Sequence, residues 1–188
     1  TGIGVMKYVN PSDTYENSDG AKIIDKDEPA IRYADILLMY AEALNELTTS
    51  YEVSSWDGIK AYTINRDPEE MRKGIKPVRM RAGVPDYDTP IYDNPAKFRI
   101  KLKRERQIEL FAEGKRYYDL RRWKDVENTP EMIGDDYGMN SEGITNETFF
   151  KRTVYQTRVW KRCYYWMPVF IDEYEKNPNL VQTPFWLE

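Results

Sequence analysis

The chain has 188 residues, no histidine and one cysteine, which excludes Ser-His-Asp and Cys-His catalytic arrangements, an internal disulfide and any zinc site built on a Cys/His cluster. Its 28 Lys plus Arg stand against 32 Asp plus Glu, a formal net charge of -4, so nucleic acid is not the expected partner. No window approaches about 18 consecutive apolar residues, so no segment reads as a membrane-spanning helix.

In chain order, Thr1-Gly2-Ile3-Gly4 carries no initiator methionine and no signal-peptide pattern, and the sequence reads as a piece of something larger. Asn10 to Asp27 is polar and turn-rich, an expected loop. From Ala30 to Leu47, apolar or small residues at Ile31, Ala34, Leu37, Leu38, Ala41, Leu44 and Leu47 give helical spacing, with Pro29 suited to the start and the alanines permitting close approach of a second helix. The spacing predicts a second helical stretch from near Trp56, punctuated by Pro68, Gly74 and Pro77. A long structured loop follows with Gly83, Pro85, Pro90 and Pro95, and a long helix resumes at Lys97. After Trp123, a polar loop over Glu127 to Asn146 leads into Thr153, Val154, Tyr155, Val159 and Trp160, where a short strand pair is expected. Cys163, set among Trp160, Tyr164, Tyr165 and Trp166, reads as a buried small hydrophobe. The architecture expected is mainly α, helical pairs joined by long loops with a short β-hairpin near the C-terminus, and no clean 34-residue repeat is visible.

The stretch RERQIELFAEGKRYYDLRRW, Arg104 to Trp123, is the densest in charge. Glu105, Glu109 and Glu113 fall at i, i+4 and i+8 on one helical stripe, with Lys101, Arg106 and Arg116 within three or four residues as local counter-charges. Ile108, Phe111 and Ala112, with Leu110 nearby, are the expected core face. This pattern favours a scaffold helix laced with ion pairs over a nucleic-acid reader. Gly114 is expected to end that helix in a left-handed turn or to admit another backbone closely. Tyr117, Tyr118, Leu120 and Trp123 then offer one face of a following short helix to the core.

The same residues resemble a known family. Glu105-Arg106, Glu113-Gly114, Arg116, Asp119 and Arg121-Arg122-Trp123 are similar to the signature near the C-terminus of SusD/RagB-type outer-membrane lipoproteins. VMKYVNP at Val5 to Pro11, RYADILLMYAEALNEL at Arg32 to Leu47, VRMRAGVP at Val78 to Pro85 and the terminal MPVFIDEYEKNPNLVQTPFW agree in order. The resemblance implies that residues 1–188 are the C-terminal portion of a SusD-like domain built on tetratricopeptide-like helical pairs. It further implies a non-enzymatic, surface-exposed subunit that captures oligosaccharides, in some members peptides, and delivers them to a SusC-like TonB-dependent transporter. The lipid anchor that such proteins carry at the N-terminus, and with it the outer-membrane location, is implied by the family alone.

For glycan binding the residues offer aromatic rings, which stack on pyranose faces at small entropic cost, beside polar groups that meet hydroxyls. Trp56, Tyr87 and Tyr92, with Asp86, Asp88, Asp93 and Asn94 around the tyrosines, are the candidate ligand-binding residues from composition and loop placement. No catalytic residue, cofactor or metal ligand is assigned. Asp135-Asp136 and Glu69-Glu70 are sequence neighbours rather than evidence of a glycosidase cleft, and the Asp86 to Asp93 loop lacks calcium-motif spacing. A peptide-binding or protein-interaction scaffold is the alternative reading.

Overall fold

The computed structural model describes residues 7–14, 23–24, 27–127 and 134–186. Val5 and Met6 of the first motif, most of the Asn10 to Asp27 loop and part of the loop after Glu127 lie outside them. The chain forms two compact units, Asn10–Arg116 and a second comprising Tyr117–Glu188 with Thr1–Val9.

The first unit contains α1 (Tyr33–Asn45), a hairpin of β1 (Tyr51–Ser54) and β2 (Ala61–Ile64), α2 (Pro68–Arg81), a short α3 (Thr89–Asp93) and α4 (Pro95–Glu109). Contacts at the helix ends fix their directions. Asn45, the last residue of α1, bonds Arg66 just before α2 and the Pro95 carbonyl that opens α4. At the other end of α1, Asp35 meets Arg106 near the end of α4. Helix α1 is therefore antiparallel to both α2 and α4.

The expected apolar stripe of α1 is borne out in its centre: Leu38, Ala41 and Leu44 are buried against Met71, Ile75 and Val78 of α2, Tyr92 of α3, and Phe98 and Leu102 of α4. Each large side chain in this cluster contributes roughly 1.5–3 kcal/mol through burial. Ile31, at the edge of the stripe, is exposed and precedes the helix. Both α2 and α4 start on the same local chemistry, a side-chain oxygen followed by proline. The Asp67 carboxylate accepts from the Glu69 and Glu70 amides at 2.8 and 3.3 Å, and the Asn94 amide oxygen accepts from the Lys97 amide at 3.0 Å.

Three expectations are corrected here. The segment around Trp56 is a hairpin rather than a helix: Tyr51, Val53, Tyr62 and Ile64 alternate along paired strands, and Asp57-Gly58 turns the chain with Gly58 at φ 71°. Gly74 and Pro77 lie inside α2 instead of ending it. A Cβ on Gly74 would fall 2.5 Å from the Leu37 carbonyl oxygen and 2.9 Å from the Ala41 Cβ, so the glycine is what lets α1 and α2 touch. Finally, Ile108 and Phe111 are exposed, at 62% and 55%. The face that α4 buries is Phe98, Leu102, Glu105 and Arg106.

The glutamate stripe also draws counter-charges from outside its own helix. Arg79 of α2 reaches Glu105 at 2.6 Å, Arg81 reaches Glu109 at 2.5 Å, and Arg32, just before α1, contacts Glu109 at 2.9 Å and Glu113 at 2.6 Å. Beneath them the buried Arg106 bonds the buried Asp35 at 2.9 Å, and Lys115 approaches the other Asp35 oxygen at 3.3 Å. Glu113 holds the Arg32 guanidinium above its ordinary range, outweighing burial. Gly114 has φ 71° with no atom near a would-be Cβ, so its role is the left-handed turn.

Helix α5 (Lys115–Trp123) leads into the second unit, which continues with β3 (Asp135–Met139), α6 (Asn146–Phe149), β4 (Arg152–Thr157), a 3-10 turn (Arg162–Tyr165) and α7 (Ile171–Lys176). The hairpin expected near the C-terminus is present, β3 pairing antiparallel with β4 across a register shift between Asp136 and Tyr137. Its first strand comes from a stretch that reads as polar loop, and Val159 and Trp160 lie beyond its second. Asp119 is the buried residue of α5, bonded to Arg122, while Tyr117 and Tyr118 stay exposed, contrary to the expected aromatic face. Arg121 stacks over Tyr117 and Trp160 and donates to the Tyr164 carbonyl at 3.0 Å. The hydrophobic tail finds its support here: Phe185 packs on Trp166 and Trp186 on Tyr164, and Gln182 bonds both the amide and carbonyl of Val169. Cys163 is buried, as expected.

Candidate functional site

Trp56 sits in the turn of the β1–β2 hairpin and is 98% exposed. The turn beneath it is tightly bonded. The Asp57 carboxylate accepts from the Ser55 hydroxyl at 2.5 Å and the Ile59 amide at 3.1 Å, while the Ser55 and Lys60 main chains pair at 2.7 Å. The Ser55 hydroxyl and then the Ile59 amide hold the Asp57 carboxyl below its usual range. An indole is thus presented to solvent on a fixed turn, with a charged carboxylate next to it in sequence. Ile59, beside it in the turn, is also exposed.

Tyr87 and Tyr92 are placed differently. The Tyr92 ring is fully buried in the first unit's core, 5.3 Å from the Phe98 ring, with the Arg72 guanidinium 4.4 Å from its centre. Its hydroxyl donates to Asp86 at 2.6 Å, and Asp86 also pairs with Arg72. Burial, then the Asp86 acceptor, pushes the Tyr92 phenol upward. At Asp86 burial pulls the carboxyl up, but the Tyr92 hydroxyl, Arg72 and the Tyr87 amide together bring it below its ordinary value. Tyr87 is half-buried, its hydroxyl donating to Glu105 at 2.8 Å and its face covered by Arg79 at 3.8 Å. Burial, then the bond to Glu105, raises its phenol. The two tyrosines are brought within 6.5 Å of each other, whereas no ring contact links Trp56 to either among the described residues. Asn94 is the cap of α4, and Asp88 precedes α3 without a capping bond.

Two concavities accompany these residues. In the first unit, Arg32, Tyr33, Ala34, Leu37, Pro77, Val78 and Arg81 line a mostly apolar hollow of about 270 Å³. In the second, Glu127, Arg158, Val159, Trp160 and Arg162 line an open cleft of about 470 Å³. Sequence reasoning passed over the latter because Val159 and Trp160 read as strand. The available signal is a tryptophan flanked by Arg158, Lys161 and Arg162 just past the last β-branched residue. Among the described residues no group of His, Cys, Asp or Glu side chains is arranged to hold a metal, and no helix is long and apolar enough to cross a membrane.

Among curated proteins none matches the chain at a significant level. Solved structures do. The chain superposes on BT4246 with a TM-score of 0.72 at 29% identity, covering 96% of this chain and 28% of that one, in a selenomethionine form. A second BT4246 structure gives 0.69 at the same identity and coverage. A SusD-like protein from Bacteroides fragilis gives 0.62 at 30% identity, covering 84% of this chain and 25% of that one. The chain thus spans little more than a quarter of the length of these structures, and its helical pairs are of their tetratricopeptide-like kind. The SusD/RagB family model matches residues 1–186, so the motifs from Val5 through the terminal PFW are one continuous family segment and the chain belongs to the SusD family.

Proposed function

We propose that this chain is the C-terminal portion of a cell-surface nutrient-binding protein that captures oligosaccharides non-covalently and delivers them to a SusC-like TonB-dependent transporter. The protein acts at the outer membrane, held by a lipid anchor, and is not an enzyme. The observation that carries the ligand class is Trp56: a large ring, exposed at 98% on a turn fixed by hydrogen bonds, is accessible to lie against a sugar face. Tyr87, half-buried, contributes through what surface it leaves open, while Tyr92, with no exposed surface, supports the loop from within the core. The carboxylates Glu105, Glu109 and Glu113 are committed to arginines, which suits a scaffold role rather than proton transfer.

The test is a glycan-array screen of the protein at its natural length, followed by titration of any hit against Trp56→Ala. Loss of about tenfold in affinity is expected from one removed stacking contact. Failure of the unsubstituted protein to bind any glycan overturns the reading. The apolar hollow beside Tyr33, flanked by Arg32 and Arg81, favours the peptide-binding alternative, which such a failure would bring forward.

A further inference from the structure

We infer that the cleft between Glu127 and the Arg158–Arg162 segment is a second saccharide-contact site, one that takes a neutral pyranose; this rests on the glycan-capture reading above. Its volume of about 470 Å³ lies in the range of small-molecule sites, roughly 300–1,000 Å³. Its lining combines what a sugar ring requires. Trp160 and Val159 supply apolar surface, Arg158 and Arg162 supply N–H donors, and Glu127 supplies an acceptor able to take protons from two neighbouring hydroxyls.

The polar groups are positioned but incompletely matched. Arg162 Nε stands 3.8 Å from the Glu127 carboxylate, close enough to attract and too far for a hydrogen bond. A vicinal diol set alongside the pair can donate to the carboxylate and accept from the guanidinium. Arg162 is steadied by stacking 4.5 Å over Phe185, and Arg158 by donating to the Gly134 carbonyl at 3.1 Å beside Asp136 at 3.3 Å. The Trp160 ring is braced edge-on by Tyr164 at 5.9 Å and Tyr165 at 5.1 Å. Charge selects the ligand class. The lining holds two arginines and one glutamate, and Arg158 and Arg162 lie 3.3 and 3.8 Å from the carboxylates of Asp136 and Glu127, which offsets most of the attraction a carboxylated or sulfated glycan would feel.

The experiment is calorimetric titration of the natural-length protein and its Glu127→Gln, Arg162→Ala and Trp56→Ala variants with a panel of neutral hexose and N-acetylhexosamine oligosaccharides, and with uronate-containing and sulfated ones. Glu127 and Arg162 are surface side chains, and matching thermal melts establish that the variants fold. Weakening of about tenfold or more in both Glu127→Gln and Arg162→Ala, for a neutral oligosaccharide, is expected. Binding that falls in Trp56→Ala but is unchanged in the cleft variants overturns this inference alone. Cleft-dependent binding confined to charged glycans overturns it as to ligand class. Absence of all binding overturns the capture reading and this inference with it.

Discussion

At Gly74 two opposing effects can be weighed. A glycine inside a helix is about 1 kcal/mol worse than alanine, so on propensity alone Gly74→Ala should stabilise α2. The position of the Leu37 carbonyl, 2.5 Å from the added carbon, makes the exchange an overpacking of the α1–α2 contact, worth about 1–3 kcal/mol against the fold. Because the clashing atom is backbone and cannot rotate away, the strain is expected to prevail. Urea unfolding of Gly74→Ala should show a net loss of up to about 2 kcal/mol; a gain would mean that the helices separate at little expense. The candidate site was only partly legible in the sequence. Trp56, Tyr87 and Tyr92 all read as aromatics among aspartates in loop-like sequence. What separates them is the partner that each meets: Tyr92 finds Asp86 and Arg72, and Tyr87 finds Glu105 and Arg79, pairings between segments whose proximity no local pattern encodes. Only the Asp57-Gly58 turn marked Trp56 as the outward one, and a glycine-containing turn signal was there to be read.

Among the helices, the charged seam does what the apolar core alone does not, fixing which end of α4 meets which end of α1. Asp35 and Arg106 have side chains 6% and 4% exposed and are 2.9 Å apart. Removing one member of such a pair strands the other in a low-dielectric setting at about 3–5 kcal/mol. For Asp35→Ala the lower end, about 3 kcal/mol, is expected, since Glu42 remains 4.0 Å from Arg106. Denaturant titration checks the figure, and a loss below about 1 kcal/mol, the level of an exposed pair, would show the seam to be dispensable. The helices themselves were legible from periodicity, α1 best because its stripe of Leu and Ala is uninterrupted. The β1–β2 hairpin was not, since four-residue strands beside a helical window are below what a period can resolve. Nor was the choice of buried face on α4: Ile108 and Phe111 are more apolar than Glu105 and Arg106, and tertiary pairing reversed the order that hydropathy suggests.

Across the whole chain, cohesion is distributed unevenly between the two units. The first carries a contiguous cluster from Leu38 to Leu102, including six large side chains with essentially no exposure. Among its described residues the second has few buried apolar side chains and relies on packed rings, the half-buried Trp160, Phe185 and Trp186 with the more exposed Trp166, tied by arginine stacking and the Gln182 bonds. Hydrogen exchange is expected to be slowest at the central amides of α1, α2 and α4 and faster throughout β3–β4 and the C-terminal segment. Equal protection in the two would indicate that they open as one cooperative body. The family motifs, by contrast, were legible end to end, because a glutamate stripe, its arginines and the turn glycine are constrained together by this packing. Cys163 gives the second unit a built-in chronometer. It is the chain's one thiol and is buried, so an alkylating reagent reaches its sulfur when the structure around it opens. The labelling rate then counts openings directly, without any introduced probe.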